Sequence, residues 1–421
     1  MRKDNTIIRL EQPLSFETLE STIRGEVQGW MQSILDEEVT EFLGRVKSER
    51  RKAVDDVVGY RNGYGEARKL TISSGTIEVR RPRVRGLEQR FESRILPLFK
   101  RRTPEVSNLL PDLYLHGLSC GDFDLALRGL LGDDAPLSAS TVCRLKEKWH
   151  GELEAWKARP LDGLEVVYVW ADGVYIKAGL EKDKSCLLVM IAALVDGSKI
   201  VLAVESGHRE STESWSSLLR SLRGRGLKCP KAVVGDGALG LWGALRNVYP
   251  EAKELRCWNH RIANLLDRIK KADQAAALDL LRKIAYAENC KEAESSKKVF
   301  QGWCVGHGYT KAAELIDEDW ERMVAFFDFP KEHWQHLRTT NPVESPFAAL
   351  RLRTDAAKRF KRADNATCVV WKMLAIAQSR FRKLNAPELL TEVWKGVEFV
   401  DGVRRKNQAE ERADQEERAA A

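Results

Sequence analysis

Nowhere in the chain do 18 or more apolar residues follow one another, and the opening MRKDNTIIRL lacks the apolar run of a signal peptide. A membrane span and a secretory leader are therefore not expected; a soluble cytoplasmic protein is. Cysteine is sparse as well: eight residues in 421, scattered singly, which speaks against a disulfide scaffold and for a reducing compartment. Charge of one sign is barely in excess, with 69 Lys plus Arg against 62 Asp plus Glu and a formal net charge of +7. So small an excess does not by itself imply nucleic acid. What the chain does have is 43% hydrophobic residues, which excludes a disordered protein, and length enough for about two or three domains with sizeable cores.

The cations are unevenly spread, clustering at 80–85, 144–148 and 351–362. Local density matters because each contact with a phosphodiester releases counterions. Taken singly, each cluster reads first as a solvated face. Residues 16–45 have helical periodicity, with Leu19, Ile23, Val27, Trp30 and Ile34 forming one apolar stripe. KLTIS and TIEVR flank Ser74-Gly75, which predicts a hairpin with a tight turn there. On an extended strand Arg81, Arg83 and Arg85 share a face, about 7 Å apart, close to the phosphate repeat of one DNA strand. An edge guarded by charge explains the same alternation.

Three helices are expected between 105 and 157. Val106, Leu109, Leu110 and Leu113 mark the first, Ser119 caps the second, and Ser138 caps the third. On the third, Val142, Leu145, Trp149 and Leu153 form the buried stripe, while Ser140 and Arg144 point away with Thr141 and Lys148 on the flanks. Short helices ending in a polar, basic one suit a helix-turn-helix reader of DNA, and equally an ordinary helical bundle. The expected divisions are 1–103 for the N-terminal helix and hairpin and 104–160 for the helix-turn-helix.

The segment 162–270 alternates strand and helix signals in the order β-β-β-α-β-α-β-α. Three consecutive strands with short links are antiparallel neighbours, and later strands reached through helices are parallel. That order predicts a ribonuclease H-like mixed sheet in which the first and fourth strands lie side by side. Asp172 would end the first and Asp236 the fourth, where open α/β sheets place their ligands. Asp-Gly dipeptides are common turn exits; two of them on strands that topology makes adjacent point further. Paired carboxylates repel unless a cation neutralises them, and hard oxygen donors suit Mg²⁺ or Mn²⁺. Two such ions about 3.5–4 Å apart serve phosphoryl transfer. A third acid is available in RTTNPVESPFAALRLRTDAAKRF, where Glu344 lies near a helix start. Asn341-Pro342-Val343-Glu344 also spells a capping box, and Pro346 fits a helix capped by Ser345 instead. The residues alone leave ligand and capping acid both open.

GYRNGY (59–64), VRRPRVRG (79–86), LSASTVCRLK (137–146), ADGVYIK (171–177), VVGDGALGLWGAL (233–245), RCWNHRIANLL (256–266) and TTNPVESPFAALRLRT (339–354) stand in this order along the chain. Together they resemble bacterial insertion-sequence transposases of the Mutator-like type, within the DDE superfamily, over about residues 35–400. The resemblance implies that Asp172, Asp236 and Glu344 are the catalytic acids and hold two Mg²⁺ (or Mn²⁺) ions. It also implies a helical insertion between Asp236 and Glu344, and 261–336 indeed lacks a strand signal. The core is then 161–260 and 337–400, with a charged, solvated tail at 401–421.

The family's Cys-or-Asp, two residues, His motif stands here as Cys257-Trp258-Asn259-His260. Alone it is half a zinc site, which Cys304 with His307, or His333 with His336, would have to complete. The preferred reading is a structural or base-contacting role, with Cys257, His260 and Asn341 supporting the acids and Trp258 in the core. Arg351, Arg353, Lys358, Arg359, Lys361 and Arg362 would neutralise phosphates along the route to the acids. The resemblance further implies double-stranded DNA as partner (element ends and target), a nucleoid location, and a homodimer or larger assembly. It implies recognition of terminal inverted repeats through 60–157, metal-dependent cleavage and strand transfer, and a circular DNA intermediate. Two rivals remain: a ribonuclease H-like nuclease that only hydrolyses, and a former transposase kept as a non-catalytic DNA-binding regulator.

Overall fold

A computed structural model describes residues 15–49, 59–97, 99–116, 118, 131, 139–178, 185–207, 209–237, 239–356, 360 and 362–405. Its contacts divide the chain into two compact units, 1–145 and 146–421.

In the first unit helix α1 (Phe16–Leu43) packs on a hairpin of β1 (Tyr60–Ile72) and β2 (Gly75–Arg85). The hairpin turn is Ser73-Ser74, one residue earlier than expected, because Ile72 pairs directly with Gly75. Gly75 takes the φ of +122° that the strand start requires. The apolar contacts come from Leu35 of α1 with Leu70, Ile77, Val79 and Leu96, flanked by Val27 and Met31. Gln28 and Gln32 lie along β2: the backbone N–H groups of Glu78 and Arg80 donate to their side-chain oxygens at 3.1 and 2.9 Å. A helix thus covers backbone groups that an edge strand would leave unpaired. The expected stripe packs only in part: Val27 reaches the hairpin core, whereas Leu19, Ile23 and Trp30 are exposed, Trp30 at 68%. The packed positions are Val27, Met31 and Leu35, at i, i+4 and i+8, and continue the line of Leu19 and Ile23 towards the helix C-terminus.

Helix α2 (Pro104–Leu115) starts on Pro104 and buries Val106, Leu110, Tyr114 and Leu115. The second expected helix, except Leu131, and the cap Ser138 lie outside the described residues. Helix α3 (Ala139–Ala158) follows and buries Trp149 and Leu153 as its periodicity predicts.

The second unit is built on five strands: β3 (Val166–Ile176), β4 (Ser185–Leu194), β5 (Lys199–Gly207), β6 (Ala232–Gly235) and β7 (Lys253–Arg256). Their spatial order is β5-β4-β3-β6-β7, antiparallel among the first three and parallel from β3 to β7. The first and fourth strands of the segment are therefore neighbours, as short links and helical crossovers dictate. Helices α4 (Thr212–Gly224) and α5 (Leu239–Val248) connect the later strands and bury one apolar stripe each against the sheet. Ser211 caps α4 by accepting the Ser214 N–H at 3.2 Å. Trp215, Leu218, Leu219 and Leu222 then pack on Val169, Ala171, Leu188 and Met190. Each such side chain contributes roughly 1.5–3 kcal/mol by leaving water. The alternate residues of β3 face the other way: Tyr168 hydrogen-bonds His333 Nδ1 at 2.9 Å, and Trp170 Nε1 donates to the His336 carbonyl at 2.8 Å.

After β7 the described chain is helical: α6 (Trp258–Leu266), α7 (Gln274–Ala285), α8 (Cys290–Gly306), α9 (Thr310–Leu315), α10 (Trp320–Val324) and α11 (Trp334–Leu337). Trp258, Arg261 and Leu265 are the buried face of α6, so a charged residue sits among apolar ones. Asp319 explains it. Its carboxylate accepts from Arg261 Nη2 and from Arg256 Nη1, each at 2.8 Å, and pairs with Arg322 as well. Four helices close the unit: α12 (Asn341–Glu344), α13 (Phe347–Ala356), α14 (Ala363–Gln378) and α15 (Pro387–Lys395). Residues 401–405 were expected to begin a solvated tail. Instead Val403 and Arg404 (β9) pair with Phe399 and Val400 (β8), through a turn at Asp401 and Gly402 with φ of +50° and +80°.

Candidate active site

Asp172 stands within β3 and not at its end, because β4 continues alongside as far as the Ile176–Ser185 pair. Its parallel partner β6 stops at Gly235, and there the sheet opens. Trp170 pairs with Val234, and both aspartates, Asp172 and Asp236, stand two residues further on. Neighbouring strands lie about 4.8 Å apart, so the two acids share one level of the sheet. Burial, then the charge of Asp236, raises Asp172 from 3.8 to about 7, against the hydrogen bond it accepts from the Gly173 N–H. Glu210 and Glu344 add to the rise.

Glu210 was not singled out from the sequence, where it is one of several acids in ESGHRESTESW. It directly precedes the Ser211 cap of α4, and two glycines make room for it. A Cβ on Gly173 would fall 2.2 Å from Glu210 Oε1, and one on Gly240 would fall 2.2 Å from the Glu210 carbonyl oxygen. Burial and the charge of Asp236 raise the Glu210 pKa, with a hydrogen bond from Tyr175 opposing. Behind it, burial and then Glu210 push the Cys186 thiol up to about 12. Gly173 stands 37 positions before Glu210 and Gly240 30 after it, so no local sequence signal singles Glu210 out.

Glu344 ends α12, whose cap is Thr340 and not Asn341. The Thr340 hydroxyl donates to Glu344 Oε1, and it also lies 3.2 Å from Cys257 Sγ and 3.4 Å from His260 Nδ1. Cys257 caps α6 and is fully buried, while the side chains of His260 and Glu344 are 39% and 31% exposed. Burial would raise the Cys257 thiol, but hydrogen bonds from His260 and Thr340 outweigh it and hold its pKa below the usual value. His260 is raised to about 9, first by its hydrogen bond to Cys257 against burial, then by the charges of Cys257, Glu344 and Asp236. Asn341 Oδ1 accepts from Asn259 at 3.3 Å, tying α12 to α6. Among the described residues, the trio of metal-capable donor atoms within 4.8 Å of one another is Cys257, His260 and Glu344. Glu344 therefore rests on the Cys-His pair in this conformation, with its charge still felt at Asp172. Cys304, His307, His333 and His336 do not join that trio.

Arg256 links the aspartate loop to the helical region. Gly237 follows Asp236 with φ of +97°, and Arg256 Nη1 donates to its carbonyl at 3.3 Å. A Cβ on Gly237 would lie 1.7 Å from Arg256 Nη1. Gly237→Ala is expected to cost at least about 1–3 kcal/mol from backbone conformation alone, measured by denaturant unfolding, because the clash also displaces Arg256. A variant as stable as the parent would mean that the loop rearranges freely.

The expected DNA contacts fall into three groups. Arg81, Arg83 and Arg85 line one cavity of about 500 Å³ with Arg68 and Arg90. Arg83 and Arg85 are exposed, whereas Arg81 is half-buried and donates to the Phe91 carbonyl at 2.8 Å. Arg144 and Lys148 are exposed on α3, and the Ser140 and Thr141 side chains lie outside the described residues. Arg351 is exposed, but Arg353 is only 3% exposed, so its guanidinium offers no surface to a phosphate. Lys358, Arg359 and Lys361 lie outside the described residues, and Arg362 pairs with Asp364 at 2.8 Å.

Among the described residues no helix is long and apolar enough to cross a membrane. Residues 1–383 match the family model described as "Transposase, Mutator family". The chain is 43% identical over 297 residues to the transposase for insertion sequence element IS6120 of Mycolicibacterium smegmatis, covering 70% of this chain and 92% of the relative. It is 39% identical over 280 residues to the transposase for element IST2 of Acidithiobacillus ferrooxidans, covering 66% and 94%. With the transposase for element ISRM5 of Rhizobium meliloti it shares 29% identity over 353 residues, 83% of this chain and 85% of that one.

Proposed function

Since the chain belongs to the Mutator family of transposases, we propose that it cuts and joins DNA strands at the ends of an insertion sequence, using Asp172, Asp236 and Glu344. The observation that carries this reading is the shared register of the two aspartates at the open end of β6, with Asp172 raised to about 7. Carboxylates so crowded that one takes up a proton form a donor set made for divalent cations with oxygen ligands. Asp172, Asp236 and Glu344 would hold two Mg²⁺ or Mn²⁺ ions, which when bound would supply charge neutralisation and an activated attacking oxygen.

The chain's own residues do the rest. On metal binding Asp172 would give up its proton, and Glu344 would have to leave Thr340 to join the aspartates. His260, protonated at neutral pH, offers a positive charge beside them. Water attacks the phosphodiester at the element's end and frees a 3′-hydroxyl, which then attacks a second phosphodiester. We read 161–260 with 337–400 as a ribonuclease H-like core interrupted by 261–336; the five-strand mixed sheet supports that reading. The region 60–157, with a helix-turn-helix in 104–160 and the arginine-lined cavity of the hairpin, reads the terminal inverted repeats of double-stranded DNA. The working form is a homodimer or larger, acting at the nucleoid through a circular DNA intermediate.

The test is joining. Labelled, precut element ends incubated with target plasmid and Mg²⁺ are expected to give covalently joined product. Hydrolysis without joining would assign a nuclease, and metal-independent binding without nicking in Mn²⁺ a regulator.

A further inference from the structure

Cys257 Sγ, a His260 ring nitrogen and a Glu344 carboxylate oxygen all lie within 4.8 Å of one another. His260 Nδ1 and Glu344 Oε1 are 3.8 Å apart. The donors come from two short elements pinned together: Cys257 and His260 from the first turn of α6, Glu344 from α12. The Trp258 N–H donates to the Arg338 carbonyl at 2.8 Å, and the Thr340 N–H donates to Cys257 Sγ at 3.3 Å, so the register between the two elements is fixed. The Thr340 hydroxyl touches all three donors. It marks a point that a single small centre can reach from every side. The half-exposed His260 and Glu344 leave that point open on one flank.

Donor chemistry separates this trio from the aspartates. Sulfur, imidazole nitrogen and one carboxylate oxygen are ligands for zinc and its neighbours, with Zn–S about 2.3 Å and Zn–N about 2.0–2.1 Å. Mg²⁺ demands oxygen and keeps its waters. Three protein ligands leave the fourth tetrahedral position to water, and an ion drawn among donors within 4.8 Å of one another would displace the Thr340 hydroxyl.

We propose that Cys257, His260 and Glu344 form a second cation site, selective for Zn²⁺-class ions, whose occupation holds Glu344 away from Asp172 and Asp236 and so opposes cleavage. The antagonism rests on Glu344 being the third acid of the cage; the binding site itself does not. An ion held by the trio occupies the carboxylate that Mg²⁺ or Mn²⁺ would share, so the two kinds of metal exclude one another at one residue.

Co²⁺ is the probe for the full-length protein, because a cobalt–thiolate bond gives a near-ultraviolet charge-transfer band. One equivalent of Co²⁺ is expected to produce that band, and Zn²⁺ to displace it. Cys257→Ser should remove the band, and His260→Ala should weaken binding by more than about tenfold, since even partners behind a ligand cost ten- to a hundredfold. Thr340→Ala should keep the band, because the hydroxyl is not a ligand; this variant also checks that loss in the others is not misfolding. Absence of a band in the parent protein, or a band indifferent to Cys257→Ser, overturns the site. Mn²⁺-dependent cleavage that persists at full strength with the Zn²⁺ site loaded overturns the antagonism. A protein that gives the band but still cleaves after Glu344→Gln refutes the active-site reading and leaves the cation site standing.

Discussion

Asp172→Asn is expected to abolish cleavage and joining, by on the order of 10³-fold or more, with binding to element ends kept within a few-fold. Asparagine preserves shape and can still accept the Gly173 N–H, but removes the negative charge from the most crowded acid of the centre. A loss of 10³ is about 4 kcal/mol of barrier, the scale of removing one preorganised electrostatic partner. Binding and cutting lost together would make Asp172 a structural residue. The same carboxyl sets a pH dependence. Its pKa rises on folding, from 3.8 to about 7. The stability it contributes is therefore complete below its ordinary value and is lost as pH climbs through about 7. Without divalent cations the protein should lose stability across that window. Mn²⁺ must displace the proton, so the stabilisation it gives should grow over the same window and then level off. Thermal unfolding with and without Mn²⁺, from about pH 5 to about pH 8, reads both curves. A pH-independent Mn²⁺ effect would place the ion elsewhere, and Asp172→Asn should flatten both.

Asp319→Ala carries the largest expected cost in stability. Its carboxylate holds Arg256 of β7, Arg261 of α6 and Arg322 of α10 together. Arg261 is 1% exposed and Arg256 8%, so neither can turn to water when the partner is removed. Breaking a buried pair from one side costs about 3–5 kcal/mol because the remaining charge stays desolvated. That is a large share of a typical total of about 5–15 kcal/mol. Asp319 also adopts φ of +61°, which asparagine tolerates far better than alanine. Asp319→Asn, keeping one acceptor and the backbone, should fall between parent and alanine variant in chemical denaturation. A loss below about 1 kcal/mol for Asp319→Ala, the range of exposed pairs, would show that the arginines find other partners.

The sheet was legible in the sequence because each strand is a short apolar run closed by a turn or polar exit, and connection lengths fix which strands are neighbours. That reasoning put Asp172 beside Asp236. It misjudged where β3 ends, because an Asp-Gly pair reads as an exit while β4 goes on pairing past it. Periodicity in α1 found an apolar face without knowing what covers it, and the hairpin covers Val27 of that face while leaving Leu19, Ile23 and Trp30 exposed. A basic run does not say which members face inward, and Arg353 does. Glu344 rested on family resemblance, since a helix-start acid has a capping role to explain it. Glu210 was hidden for the opposite reason: nothing in its neighbourhood distinguishes one loop acid from another until Gly173 and Gly240 are seen making space for it.

Arg256 grips both the Gly237 carbonyl and Asp319. The helical block between the second and third acids is thereby not a passive cassette. A chimaera that borrowed this block from a relative would inherit a mismatched clasp unless its counterparts of Arg256, Arg261 and Asp319 travelled as a set. Drift at any one of the three would be heard first in the loop that carries Asp236.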